Sequence, residues 1–306
     1  MIDYRVTHST VYDYSGVVAL CHNEALLLPR RLSWQRCTDS RLQIQPKPAL
    51  IEERLDFFGN RALYFAIQDI HQCLEVEVQT QVSVTARPLA TTTFKKSWEE
   101  VIEALWRDPD PEIIDARQFV LDSPFVSCNA ALADYARASF PAQRPLLDAM
   151  VELNRRINRE FTFDPHFTTL ATPLNEVLES RRGVCQDFAH LAIGCLRSLG
   201  LAARYVSGYL ETRPPPGQPR LVGADASHAW LAVYLPGLGW TEFDPTNDCM
   251  AGEQHITLAW GRDYSDVAPL KGVMSGGGSH TLKVGVDVEP LAGRENDQVL
   301  VALAEG

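Results

Sequence analysis

The chain has 306 residues, 45% of them hydrophobic, which is long enough for two ordinary domains with a core each and excludes a disordered polypeptide. Its formal net charge is −11, with 28 basic residues scattered among 39 acidic ones, so no basic stripe neutralises a phosphate backbone and nucleic acid is excluded as a partner. No apolar run reaches the roughly 18 residues of a membrane span, and Met1-Ile2-Asp3-Tyr4-Arg5 opens no signal sequence, so a cytoplasmic protein without a membrane partner is expected.

From Ile2 to about residue 90 the texture is that of strands. Leu42 and Ile44 alternate with polar neighbours, as do Leu74, Val76, Val78, Val82 and Val84, and the turn signals Gln45-Pro46-Lys47-Pro48 and Phe58-Gly59-Asn60 separate the runs. Short strands with one apolar face predict an antiparallel, sandwich-like N-terminal domain over 1–90, ending near Pro88.

Past Thr91-Thr92-Thr93 the period changes. Trp98, Val101, Ile102, Leu105 and Trp106 form one helical stripe, and further helices are expected over 130–140, from Arg144 to about Arg159, and from Leu174 to Arg181 behind the cap Thr172-Pro173. A helix from Cys185 to the C-capping Gly200 follows, then a strand at Ala203-Arg204-Tyr205-Val206. Two antiparallel strands, Asp225 to Leu235 and Gly239 to Phe243, are joined by Pro236-Gly237-Leu238, and Pro214-Pro215-Pro216-Gly217 is a stiff loop before them. After Gly276-Gly277-Gly278, alternation at Leu282, Val284, Val286 and Val288 predicts one more strand, whose sheet the pattern leaves open. The expected divisions are thus 1–90, 91–270 for helices plus a core, and 271–306 for the last strand and tail.

Seven cysteines at irregular spacing, without a Cys-x-x-Cys pair, point to reduced thiols. Cys185 stands apart because it follows Arg182-Gly183-Val184 at the first turn of a helix, where free backbone N–H groups and the helix dipole favour a thiolate. Cys195, mid-helix in apolar company, is expected in the core.

A nucleophilic thiol needs a base. His190 lies five residues along the same helix, about 140° around the axis, which rules it out. His228, in Ser227-His228-Ala229-Trp230, sits on a rigid strand and is the candidate base. Asp244, in Trp240-Thr241-Glu242-Phe243-Asp244-Pro245-Thr246, closes the next strand and is the candidate acceptor for the second imidazole nitrogen. A metal site built from Cys185, His190 and His228 fails on spacing and lacks a fourth ligand.

With these three segments, Gly183-Val184-Cys185-Gln186-Asp187-Phe188, Ser227-His228-Ala229-Trp230 and Trp240-Thr241-Glu242-Phe243-Asp244-Pro245-Thr246, the chain resembles the transglutaminase-like superfamily over about residues 145 to 250. Its beginning looks like the β-rich region preceding the core in a bacterial subgroup, and the stretch from His255 to Pro269 resembles that subgroup's downstream segment. The resemblance implies an α+β fold with a papain-like core and a catalytic triad of Cys185, His228 and Asp244. It implies acyl transfer from a peptide or protein amide through a thioester, resolved by water in a peptidase or amidase, or by an amine acceptor in a transamidase. No cofactor is implied, and no acidic cluster suggests calcium. The competing reading is an inactive binding or scaffold protein on the same fold. Asp187 is a loop anchor, a substrate contact or a dipole-favoured first-turn acid; Trp230 and Trp240 are cleft walls or core.

Overall fold

The computed structural model describes residues 1–87, 94–170, 172–211 and 227–291. The connector at 91–93, the proline loop at 214–217 and the expected strand start at Asp225 lie outside these residues.

An antiparallel sheet of seven strands opens the chain: β1 (Ile2–Ala25), β2 (Gln35–Gln45), β3 (Leu50–Leu55), β4 (Arg61–Ile67) and β5 (His71–Val84), in the order β2-β5-β1-β4-β3, with two later strands also on β1. The length of β1 makes this possible. Its first half alternates buried Tyr4, Val6, His8 and Thr10 with outward residues and pairs with β5; beyond an irregularity between Asp13 and Val18, its second half pairs with β4. The sheet therefore curls over itself, and Phe65 and Ile67 of β4 meet Leu74, Val76 and Val78 of β5 in one apolar cluster.

Four helices follow, α1 (Trp98–Arg107), α2 (Pro111–Arg117), α3 (Ala130–Arg137) and α4 (Leu146–Glu160). Each starts where its sequence caps it or fixes φ: Ser97 and Glu100 form a reciprocal capping box on α1, Asp110 caps α2 ahead of Pro111, and Asn129 caps α3. The two-residue strand β6 (Thr162–Phe163) pairs in parallel with β7 (Arg182–Gly183) on either side of α5 (Leu174–Ser180).

The core joins α6 (Cys185–Ser198) to a five-stranded antiparallel sheet of β8 (Ala203–Leu210), β9 (Ser227–Leu235), β10 (Gly239–Asp244), β11 (Cys249–Met250) and β12 (His255–Gly261), ordered β11-β10-β9-β8-β12. Ala189, Ile193 and Leu196 of α6 share a buried cluster with Ala203, Tyr205, Leu231 and Val233 of the sheet. The short α7 (Tyr264–Val267) leads into β13 (Leu270–Gly276) and β14 (His280–Pro290), which both return to β1. The last predicted strand thus belongs to the N-terminal sheet, with Val286 opposite His8 and Val288 opposite Val6.

The two parts are bound through side chains that imitate a strand. β12 is the outer strand of the core sheet, and its exposed backbone is covered by two amides. Gln35 donates to the Thr257 carbonyl at 2.8 Å and accepts from its N–H at 2.7 Å, while Asn60 treats Trp260 likewise at 2.9 Å each way. Among the described residues no helix is long and apolar enough to cross a membrane.

Gly208 of β8 is the tightest point of the core sheet. A Cβ there would lie 2.1 Å from the Ile256 carbonyl oxygen and 2.5 Å from the fully buried Trp230 ring. Gly208→Ala is expected to destabilise the protein by at least about 2 kcal/mol, measured by urea denaturation.

Candidate active site

Cys185 is the first residue of α6 and is half-buried. Its N–H and those of the following turn have no acceptor within the helix, so an anion is favoured there. Asp187 fixes this turn: its buried carboxylate accepts from the Val184 N–H at 2.8 Å and from the Thr168 hydroxyl at 2.6 Å. Burial pushes its pKa up, partly offset by those two bonds. A Cβ on Gly183 would stand 2.8 Å from that carboxylate, which explains the glycine two places before the cysteine. Asp187 is an anchor of the loop.

His228 is the second residue of β9, and Asp244 the last of β10. Phe243 pairs with Leu231, so one further step sets Asp244 opposite Trp230, on the same face as His228. His228 Nε2 and Asp244 Oδ2 are 2.7 Å apart. With Nε2 so engaged, and the Asn247 amide nitrogen also 3.4 Å from it, Nδ1 is the nitrogen left for the Cys185 side chain, a further hydrogen-bonding neighbour of this imidazole. Burial alone would lower the His228 pKa, but the bonds to Asp244 and Cys185 outweigh it and push it up to about 10.

Asp244 has no solvent exposure. Its Oδ1 accepts from the Thr246 N–H at 2.9 Å and the Asn247 N–H at 3.2 Å, and its Oδ2 takes the Asn247 amide at 2.7 Å beside His228. A further partner is His255, whose Nε2 lies 3.1 Å from the same oxygen. The Gly252 N–H donates to His255 Nδ1 at 3.2 Å, which assigns the ring proton to Nε2 and makes His255 a donor to Asp244. Against the cost of burial, these donors hold the carboxyl well below the usual carboxylate range.

His255 was not foreseen as a member of the group. Its position at the start of an apolar strand carries no local signal, and only the packing of β12 across the sheet brings it to Asp244. The ligand atoms of His228, Asp244 and His255 lie within 4.8 Å of one another, a spacing that could hold a metal ion. An ion there would have to displace the Nε2 proton of His255 that the Gly252 contact assigns.

The remaining candidates are structural. His190 is buried, stacks on Phe125 with centroids 5.8 Å apart and accepts from the Tyr264 N–H at 3.1 Å; burial lowers its pKa to about 4. Cys195 is fully buried, and its thiol is pushed up to about 12. Trp230 is core, whereas Trp240 faces a different cleft, lined also by Arg204 and Trp260.

Comparison with known proteins agrees with this architecture. The model of the transglutaminase-like superfamily matches residues 133–245, and that of the bacterial transglutaminase-like N-terminal region matches residues 4–83. The uncharacterized protein Rv2569c of Mycobacterium tuberculosis is 40% identical over 298 residues, covering 95% of this chain and 93% of the relative. The uncharacterized protein ML0607 of Mycobacterium leprae is 32% identical over 291 residues, covering 94% and 99%. Among solved structures, a "putative cysteine protease" from Cytophaga hutchinsonii superimposes with a TM-score of 0.74 over 95% of this chain and 91% of its own, at 20% identity.

The shift on His228 gives a test. Its imidazole is expected to stay protonated through neutral pH and to titrate near about 10, and Asp244→Asn, which removes the charge favouring imidazolium, is expected to bring that titration down toward the ordinary value. Nitrogen-15 NMR of the imidazole checks this.

Proposed function

Because the chain belongs to the transglutaminase-like superfamily, we propose that it transfers acyl groups from amides through a thioester on Cys185, with His228 as proton carrier and Asp244 as the group that orients it. The observation that carries this reading is the sharing of one imidazole between a helix-opening thiol and a buried carboxylate.

The Cys185 sulfur attacks the amide carbon as a thiolate, forming the C–S bond while the carbonyl π pair moves to oxygen. The Cys185 N–H, without an intrahelical acceptor, is a donor for that oxyanion. When the oxyanion collapses the C–N bond breaks, and imidazolium His228 gives its proton to the departing nitrogen. An acyl thioester and a free amine result. Neutral His228 then takes a proton from the incoming water or amine as it attacks the thioester, and the thiolate leaves.

Asp244 remains ionised throughout and keeps the Nε2 proton of His228 pointed at itself, so that Nδ1 serves the sulfur. Peptide or protein amides are the proposed substrates, with hydrolysis by water as the default outcome and transfer to an amine where one is bound. We place the enzyme in the cytoplasm, where its seven free cysteines would stay reduced.

Selective alkylation tests the proposal. Burial raises the pKa of Cys37, Cys73, Cys128, Cys195 and Cys249, and Cys21 is 2% exposed, so six thiols are poor competitors. Iodoacetamide near neutral pH, followed by peptide mapping, is expected to label Cys185 ahead of all of them, and His228→Ala is expected to slow that labelling by about tenfold or more. Equal labelling, or a rate indifferent to His228, would refute the triad.

A further inference from the structure

Arg204, the second residue of β8, carries a buried charge without an anion of its own. The residue is 5% exposed, and its guanidinium carbon lies over two indoles, 4.3 Å from the Trp240 centroid and 3.6 Å from that of Trp260. Among the described residues its Nε is wholly buried and has no hydrogen-bond partner.

The neighbouring groups are already committed. Arg30 donates to Asn60, and Arg87 pairs with Glu242 at 2.5 Å. Glu242, the buried carboxylate of this layer, also accepts from the Trp230 indole at 2.5 Å. Stacking on indoles returns only part of what a buried cation loses in hydration, and a planar guanidinium whose Nε donor is left unpaired matches a carboxylate geometrically. Burial lowers the Arg204 pKa to about 9, with Glu242 pulling the other way, so the side chain remains a cation at neutral pH.

Arg204 lines a cleft of about 390 Å³. Phe58, Phe119 and the two indoles give it apolar walls, while exposed Glu112 and Asp115 of α2 stand on the same lining. A simple anion would meet a cation inside and repulsion from those two acids. A molecule with a carboxylate at one end and an ammonium at the other satisfies both.

We propose that this cleft binds a small zwitterion, such as an amino acid or a very short peptide, with its carboxylate on Arg204, its apolar body between the aromatic walls and its ammonium toward Glu112 and Asp115. The cleft is separate from the thiol site. Arg204 pairs with Ala232 and Gly208 with His228, four residues along β8, which is about 13 Å of strand.

Tryptophan fluorescence, backed by calorimetry, reads binding directly because two of the walls are indoles. Glycine, γ-aminobutyrate and ε-aminohexanoate would be titrated into the full-length protein, with hexanoate and hexylamine as single-charge controls. Saturable binding of at least one of the three zwitterions is expected, about tenfold or more tighter than either control. Arg204→Met should abolish it. The exposed pair Glu112→Gln with Asp115→Asn should weaken the zwitterion while strengthening hexanoate, which loses the repulsion, and this variant decides the matter if Arg204→Met does not fold. No saturable binding by any zwitterion, equal binding of hexanoate, or binding that survives Arg204→Met would overturn the proposal. The readout is independent of Cys185, so alkylation of that thiol can succeed or fail without bearing on it.

Discussion

An ionised carboxylate with no contact to water persists in a protein only where donors enclose it, and Asp244 is enclosed by donors from two other strands and from the turn behind its own. His228 comes from β9, His255 from β12, and the Thr246 and Asn247 N–H groups from the turn behind β10. The Asn154 amide of α4 adds a bond to its main-chain carbonyl at 3.2 Å. One residue therefore ties three strands and a helix together, and its carboxylate sets the tautomer of the imidazole that faces Cys185. On the proposed reading, stability and chemistry draw on the same bonds, so loss of Asp244 disturbs both.

The positions of Cys185 and Asp187 follow from a different constraint. A helix that begins abruptly after Gly183 leaves its first N–H groups open, and Asp187 folds back to close one of them at Val184. This keeps the turn rigid while the thiol stays half-buried and reachable. The curled N-terminal sheet is no loose appendage: His8 of β1 meets the Tyr209 hydroxyl of β8 at 3.0 Å, and Gln35 and Asn60 complete the outer strand of the core. The Arg204 cleft, with Phe58 in its lining, lies where these two layers meet.

Much of this was legible in the sequence because it rests on short-range signals. Proline 173, the turn at Gly237 and the glycine after α6 are local devices, and Leu174–Ser180, the β9–β10 hairpin and the helix starting at Cys185 appear where those devices predict. Cys185, His228 and Asp244 were singled out because each sits at an element end beside such a signal. What escaped was set by distance. Alternation along 282–288 reports one buried face and no partner, so its return to β1, nearly the whole chain away, could not be read. His255 reaches Asp244 across the sheet only through strand packing, and the loneliness of Arg204 is a property of its neighbours, invisible in Ala203-Arg204-Tyr205. The short α2, seven residues starting at Pro111, lacked a periodic stripe long enough to register.

The central claim is that Cys185 becomes acylated and that the Asp244–His228 pair makes this possible. Rapid mixing with a peptide amide library, acid quench and intact-mass spectrometry tests it most directly. The account predicts a thioester adduct confined to the peptide bearing Cys185, absent from Cys185→Ser and strongly reduced in Asp244→Asn. Turnover of amides with no adduct at Cys185, or an adduct indifferent to Asp244, would contradict it.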